Sequence, residues 1–223
     1  MANNGKPATG SILVIGLGRF GGQVAASLVR LGHEVLAIDE NEHIVQKWSD
    51  RLTHVVQADA TDEEVLRQLG VSDVDRAIVG IGTDIEASVL TVLALTEVGV
   101  REIWAKAITA KHGKILAAVG ANHVIYPEAA MGERVAHLIA SQMLDFIEFD
   151  DGYAIAKVQA PEEAVGRTLG ESRLRSKYGI TVVGVKMTGD DFTYAQPDTM
   201  VYGGALLIVA GKTADVERFA SIT

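Results

Sequence analysis

Gly16-Leu17-Gly18-Arg19-Phe20-Gly21 sets three glycines at the G-x-G-x-x-G spacing, and Asp39 follows about 20 residues on. Those residue types at that spacing suit a nucleotide. Gly16 permits a tight strand-to-helix turn, Gly18 lets the backbone approach a pyrophosphate, and Gly21 lets a helix lie close to a strand. The N–H groups that open the helix then face phosphate oxygens, and the helix dipole adds up to ~2 kcal/mol in good geometry. A carboxylate at Asp39 accepts hydrogen bonds from ribose hydroxyls and repels a 2′-phosphate. It does not separate ATP from NAD(H), because both carry an adenosine ribose. Arg19 is the departure from the pattern. A fixed charge inside the glycine loop forms charge-assisted hydrogen bonds of roughly 1.5–3 kcal/mol each. A pyrophosphate already held by backbone amides does not require it, so Arg19 points to a more highly charged guest such as ATP, or to a phosphate offered by an adjacent subunit. The alternative is a solvent-facing arginine at a helix start.

Further candidates fall where strands end, the usual place for ligands in open parallel sheets. Glu40 follows Asp39, and "QADAT" brings Asp59, Ala60 and Thr61 after the third strand. Gly80, Ile81, Gly82 and Thr83 follow the fourth, and Lys106 in "IWAKA" supplies a cation after the fifth. Glu128 in "YPEAAMG" reads in two ways: an acidic residue stabilised by a helix dipole, or an oxygen ligand to a divalent cation beside phosphates. Turnover is not expected. A hydride-transfer enzyme supplies an acid or base to the reacting carbonyl or alcohol. His33, His43, His54, His112, His123 and His137 have no catalytic partner at a recognisable spacing and are expected at the surface or at edges. There is no H-E-x-x-H, no G-x-S-x-G and no P-loop lysine.

The elements that must position these residues alternate. Strands are expected at Ser11–Ile15, Glu34–Ile38, Thr53–Gln57, Arg76–Ile81, Glu102–Ala105 and His123–Tyr126. Helices lie between them, the first over Phe20–Leu31 and stopped by Gly32. Such alternation means an α/β, Rossmann-like, doubly wound parallel sheet. After Pro127, "EAAMGERVAHLIASQMLDFIEF" reads as one long helix with Met131, Val135, Leu138, Ile139 and Phe146 on a stripe and Leu144 and Ile147 off it. Two apolar sets on one helix suit a neighbouring subunit as well as its own sheet. "DDG" at Asp150–Gly152 is a turn. Beyond it, strand-like runs at Tyr153–Gln159, Ile180–Met187 and Ala205–Ala210, with helices near Leu169–Lys177 and Ala214–Ser221, make a small α+β subdomain. The expected division is 1–148 and 149–223, the second part being too short for the substrate domain of a usual dehydrogenase.

Composition narrows the classes. A formal charge of −9 gives no pull toward nucleic acid or anionic lipid. With no cysteine, disulfides, thiol catalysis and thiolate metal sites are excluded. "MANNGKPATG" lacks the basic start and apolar run of a secretion signal. The richest apolar run, "IEASVLTVLALTEVGV", is broken by Glu86 and Glu97 and reads as a buried helix, so a cytoplasmic protein is expected.

"VIGLGRFG" with "GHEVLAID", "ADAT", "YPE" and "MG" resembles the RCK domain (regulator of potassium conductance) of the TrkA/KtrA group, and "VGRTLGESRLRSKYGITVVGVKMTGD" resembles that family's C-terminal ligand-binding subdomain. The resemblance implies a homo-oligomer, commonly dimers assembled into an octameric ring, beneath a potassium-conducting membrane subunit. It implies that ATP and ADP alter the ring shape. Arg19 then matches the arginine near terminal phosphates and the dimer partner, Asp39 the ribose acid and Lys106 a phosphate-side lysine. Glu128 matches the glutamate beside a cation bridging subunits (Mg, Ca or Na), and the helix after Pro127 matches one crossing between subunits. In some relatives the C-terminal subdomain binds cyclic di-AMP, which brings in Arg175 and Tyr178; the alternative there is a helix capped by Ser172 with a solvated basic face. NAD/NADH is the alternative nucleotide.

Overall fold

The computed structural model describes residues 11–187 and 189–223 of the chain; the opening stretch "MANNGKPATG" lies outside the described residues. It forms two compact units that divide between Glu128 and Ala129.

The first unit alternates strictly: β1 (Ile12–Ile15), α1 (Arg19–Arg30), β2 (Val35–Asp39), α2 (Glu42–Ser49), β3 (His54–Gln57), α3 (Glu63–Gln68), β4 (Arg76–Val79), α4 (Ile85–Val98), β5 (Glu102–Lys106), α5 (Ala110–Ala118) and β6 (His123–Ile125). The six strands are parallel in the order β3-β2-β1-β4-β5-β6. β1 is buried along its whole length, as a central strand covered on both faces must be. Its side chains alternate between two cores: Leu13 and Ile15 pack with Val79, Leu95 and Ile103, while Val14 packs with Val35, Ala37 and Trp48. Each fully buried aliphatic side chain contributes about 1.5–3 kcal/mol. The run expected to be a buried helix is α4, but it is only partly so: Val92, Ala94 and Leu95 are buried, while Ile85, Leu90 and Leu93 on its other side are exposed. No helix among the described residues is long and apolar enough to cross a membrane.

One histidine departs from the expectation of surface or edge placement. His112, in the first turn of α5, is only 2% exposed, and its Nε2 has no hydrogen-bond partner. Burial holds its pKa below the ordinary 6.5. Below that pH an unfolded chain takes up a proton that the folded one refuses, so acid destabilises the fold. Urea unfolding followed from pH 7 to 5.5 should show a falling midpoint, and His112→Asn should flatten that slope; an unchanged slope would contradict the buried neutral ring.

The second unit contains most of α6 (Pro127–Ala140), then β7 (Asp145–Phe149), β8 (Tyr153–Gln159), α7 (Leu169–Ser172), α8 (Leu174–Tyr178), β9 (Thr181–Lys186), β10 (Thr193–Tyr194), β11 (Leu206–Lys212) and α9 (Thr213–Ala220). Its sheet runs β10-β9-β11-β8-β7, antiparallel throughout. The core gathers Phe146, Leu174, Ile180, Leu207 and Phe219.

Three expectations are corrected by this unit. The single helix over Glu128–Phe149 ends at Ala140, and Asp145–Phe149 is instead a strand paired with β8. The D-D-G stretch is the hairpin turn between them, with Asp151 and Gly152 at φ 67° and 69°. Pairing sets a period of two: Phe146 is buried and Ile147 exposed. The helix near Leu169–Lys177 is likewise two short turns, broken at Arg173, whose φ of 51° is left-handed. Ser172 does not cap a helix. Its hydroxyl donates to the Leu169 carbonyl, and the cap is Thr168 in a reciprocal box with Glu171.

Candidate functional site

A cleft of about 550 Å³ opens at the carboxyl ends of the first unit's strands, where the strand order reverses between β1 and β4. The structure brings nearly all of the residues singled out above to its walls: Gly16, Gly18, Arg19, Phe20, Asp39, Glu40, Asp59, Ala60, Thr61, Gly80, Ile81, Gly82, Lys106 and Glu128. Gly21 does not line it. A Cβ there would sit 1.9 Å from the Gly16 carbonyl oxygen, so this glycine lets α1 press against the loop beneath the cleft. Gly16 itself turns at φ 83°.

The start of α1 differs from the other helix starts of its unit. In the same unit α2, α3, α4 and α5 are capped by the side chains of Asn41, Asp62, Asp84 and Thr109. α1 is preceded by Gly18, has no capping side chain, and has no acidic residue in its first turn. Its leading N–H groups therefore lack the acceptor that side chains supply to its neighbours. A Cβ on Gly18 would meet nothing within 4 Å, so the approach to those groups is open. Arg19 is exposed beside them.

Asp39 is 8% exposed and already holds the loop in shape. Its Oδ2 accepts from the Leu17 N–H at 2.7 Å and its Oδ1 from the Asn41 N–H at 2.9 Å. Each oxygen keeps a second lone pair free to accept a further hydrogen bond. Across the cleft the Thr61 hydroxyl and N–H both donate to Asp59 Oδ1, at 2.7 and 2.9 Å, and hold its carboxyl below the usual range.

Lys106 and Glu128 are ion-paired at 2.6 Å, the lysine well buried and the glutamate two-thirds exposed. The lysine lies 5.9 Å from the centroid of the Phe20 ring. The Lys106 ammonium, followed by the glutamate's own N–H and the field of Arg19, holds the Glu128 carboxyl below its ordinary pKa. A cation at Glu128 would have to displace this ammonium, or draw further oxygen ligands from elsewhere. Asn41, Ile44, Asp84, Ala87, Thr91 and Ile108 also line the cleft and were missed in the sequence. Asn41 and Asp84 carried a usable signal, each being a helix cap just past a strand end. Thr91 carried none. It is fully buried mid-helix, and its hydroxyl has no partner.

In the second unit, Arg175 lines a shallow groove with Arg173, Gln196 and Pro197. Tyr178 is not among that groove's residues. Its hydroxyl donates to Glu163 Oε1 at 2.6 Å, and the same glutamate is ion-paired with Lys177.

Residues 12–127 match the TrkA-N domain and residues 153–223 the TrkA-C domain. The chain is 38% identical over 207 residues to Ktr system potassium uptake protein C of Bacillus subtilis, covering 92% of this chain and 94% of the relative. It is also 38% identical to Ktr system potassium uptake protein A of the same organism, over 92% of this chain and 93% of the relative. A solved GsuK channel bound to NAD is 26% identical with a TM-score of 0.52, over 97% of this chain and 39% of that one; this chain thus spans well under half of the channel's length. With the parallel sheet in the first match and the antiparallel one in the second, the chain belongs to the TrkA family, a TrkA-N domain followed by a TrkA-C domain, with the Ktr potassium uptake proteins among its relatives.

Proposed function

We propose that this chain is the nucleotide-sensing gating subunit of a Trk/Ktr-type potassium transport system, held on the cytoplasmic face of the membrane by a potassium-conducting partner. The observation that carries the reading is the uncapped start of α1, open at Gly18 and flanked by Arg19, in a chain whose near relatives are potassium uptake proteins. The cleft offers places for phosphates, a ribose and a counter-charge, and no histidine is among the described residues that line it, which supports a nucleotide bound as a signal rather than transformed.

In this reading ATP and ADP favour different conformations, because only ATP gives Arg19 a γ-phosphate to hold. A ligand shifts an equilibrium only by its differential affinity for the two states. One charged contact of a few kcal/mol changes a population tenfold or more, and copies in a homo-oligomeric ring multiply the bias. The exposure of Met131, Val135 and Ile139 on α6 supports self-association, with dimers assembled into an octameric ring as the expected assembly. A Mg, Ca or Na ion at Glu128 belongs to this picture only where a second subunit completes its ligands. Cyclic di-AMP at Arg175 has weaker support, since Tyr178 is engaged with Glu163.

NAD(H) is the second reading, favoured by the NAD carried by the GsuK channel. Calorimetry with ATP, ADP and NADH in competition, alongside the native mass of the assembly, tests both. ATP is expected to bind in the cleft, to differ from ADP in affinity, and to outcompete NADH. Tighter NADH would move the assignment to a redox sensor, and no nucleotide binding at all would end it.

A further inference from the structure

The second unit carries a cluster of metal-ligating side chains far in sequence from the glycine loop. Glu133 and His137 sit four residues apart on α6 and so share a helix face, and Glu148 stands on β7. One ligand atom from each lies within 4.8 Å of the others.

The histidine is held as a ligand would be. Its Nδ1 lies 2.9 Å from Glu217 Oε1 on α9, so the ring proton belongs on Nδ1 and the lone pair on Nε2. Nε2 in turn lies 3.9 Å from Glu148 Oε2. The ring plane is fixed by stacking on Phe146, with centroids 4.4 Å apart. Glu148 is oriented as well: its Oε1 accepts from the Thr213 hydroxyl at 2.7 Å, leaving Oε2 to face the imidazole. At metal centres a carboxylate placed this close to the outer nitrogen of a ligating histidine fixes the tautomer and the ring direction. Three carboxylates around one imidazole also concentrate negative charge that a dication would neutralise.

We propose that Glu133, His137 and Glu148 bind one divalent transition-metal ion of the Zn²⁺ class, with Glu217 and Thr213 as positioning residues. Zn–N and Zn–O distances of about 2.0–2.2 Å set tetrahedral ligand atoms about 3.4 Å apart. The His137–Glu148 separation is close to that, and the exposed Glu133 closes the remainder by rotation of its side chain. An imidazole ligand selects against Mg²⁺ and Ca²⁺, which take oxygen. Three protein ligands leave a position for water or for a group from a partner. The ion would tie the last turns of α6 to β7 and, through Glu217, to α9. The proposal is independent of the nucleotide reading.

Untagged, EDTA-treated, nucleotide-free full-length protein should be titrated with Zn²⁺ by calorimetry and with Co²⁺ by visible absorption. One Zn²⁺ per chain is expected, bound at least a hundredfold more tightly than Mg²⁺, with Co²⁺ bands that report nitrogen ligation. His137→Asn and Glu148→Gln should each weaken Zn²⁺ at least tenfold, and Glu133→Gln, at an exposed position, covers the case where the others lower the melting temperature. Glu217→Gln should weaken it about tenfold and shift the Co²⁺ bands, whereas His43→Asn should change nothing. Absence of Zn²⁺ binding, equal affinity for Mg²⁺, or a site that survives all three ligand substitutions would overturn the proposal.

Discussion

Gly21→Ala is expected to lower the stability of the first unit by about 4 kcal/mol, among the largest effects a single methyl group produces. The new Cβ would lie 1.9 Å from the Gly16 carbonyl oxygen and 3.1 Å from its carbon, backbone atoms with no rotamer by which to escape. Gly80 closes the same space from the other side: its own Cβ would come within 3.1 Å of the Gly21 Cα. α1 must therefore withdraw from β1 and β4, opening the core around Val14. In a chain of this size such a loss corresponds to a fall in melting temperature of roughly 10 °C. Gly18→Ala is the control. Its φ of −61° is one that alanine adopts, and nothing lies within 4 Å of the added carbon, so its stability should stay within about 0.5 kcal/mol of the parent. Any effect of Gly18→Ala should fall on nucleotide affinity instead. Thermal unfolding of both variants decides the matter, and a Gly21→Ala protein that melts with the parent would refute the close packing.

Arg19→Ala should separate two nucleotides that the rest of the cleft treats alike. A charge-assisted hydrogen bond is worth roughly 1.5–3 kcal/mol, and the exposure of Arg19 places it at the lower end. ATP affinity should fall about tenfold, while ADP, which lacks the γ-phosphate, should lose less than about threefold. Melting temperature should not move, because the side chain buries little. Equal losses for the two nucleotides in calorimetry would remove Arg19 as the phosphate counter and leave it a general attractor of anions.

Much of this was legible in the sequence, and the reasons are local. The glycine loop and Asp39 could be placed because a short apolar strand, a fixed glycine spacing and a second strand end leave one arrangement of backbone. The residues past the third, fourth and fifth strands followed from strand ends alone. The failures occur where tertiary pairing overrides local pattern. Met131, Val135, Leu138 and Phe146 fit a helical stripe, and no glycine or proline marks the break at Ser141; only the register of β7 against β8 makes Asp145–Phe149 a strand. The break at Arg173 had no signal either, since a left-handed arginine is held by its surroundings rather than announced by its type. His112 was misread for the complementary reason: which face of α5 is buried depends on the sheet beneath it. Glu133, His137 and Glu148 were invisible as a group because their meeting depends on that same hairpin.

The pairing of Lys106 with Glu128 has a further bearing on how the cleft is filled. In the proposed function, a phosphate arriving at this lysine would meet not a bare cation but a seat already taken, and would have to evict a resident counter-ion. The net attraction would then be the difference between two partners of the same sign, which would set a ceiling on tightness and favour rapid exchange. The evicted carboxylate heads α6, so each occupied cleft would leave behind an unsatisfied negative charge at that spot, visible to whatever approaches next.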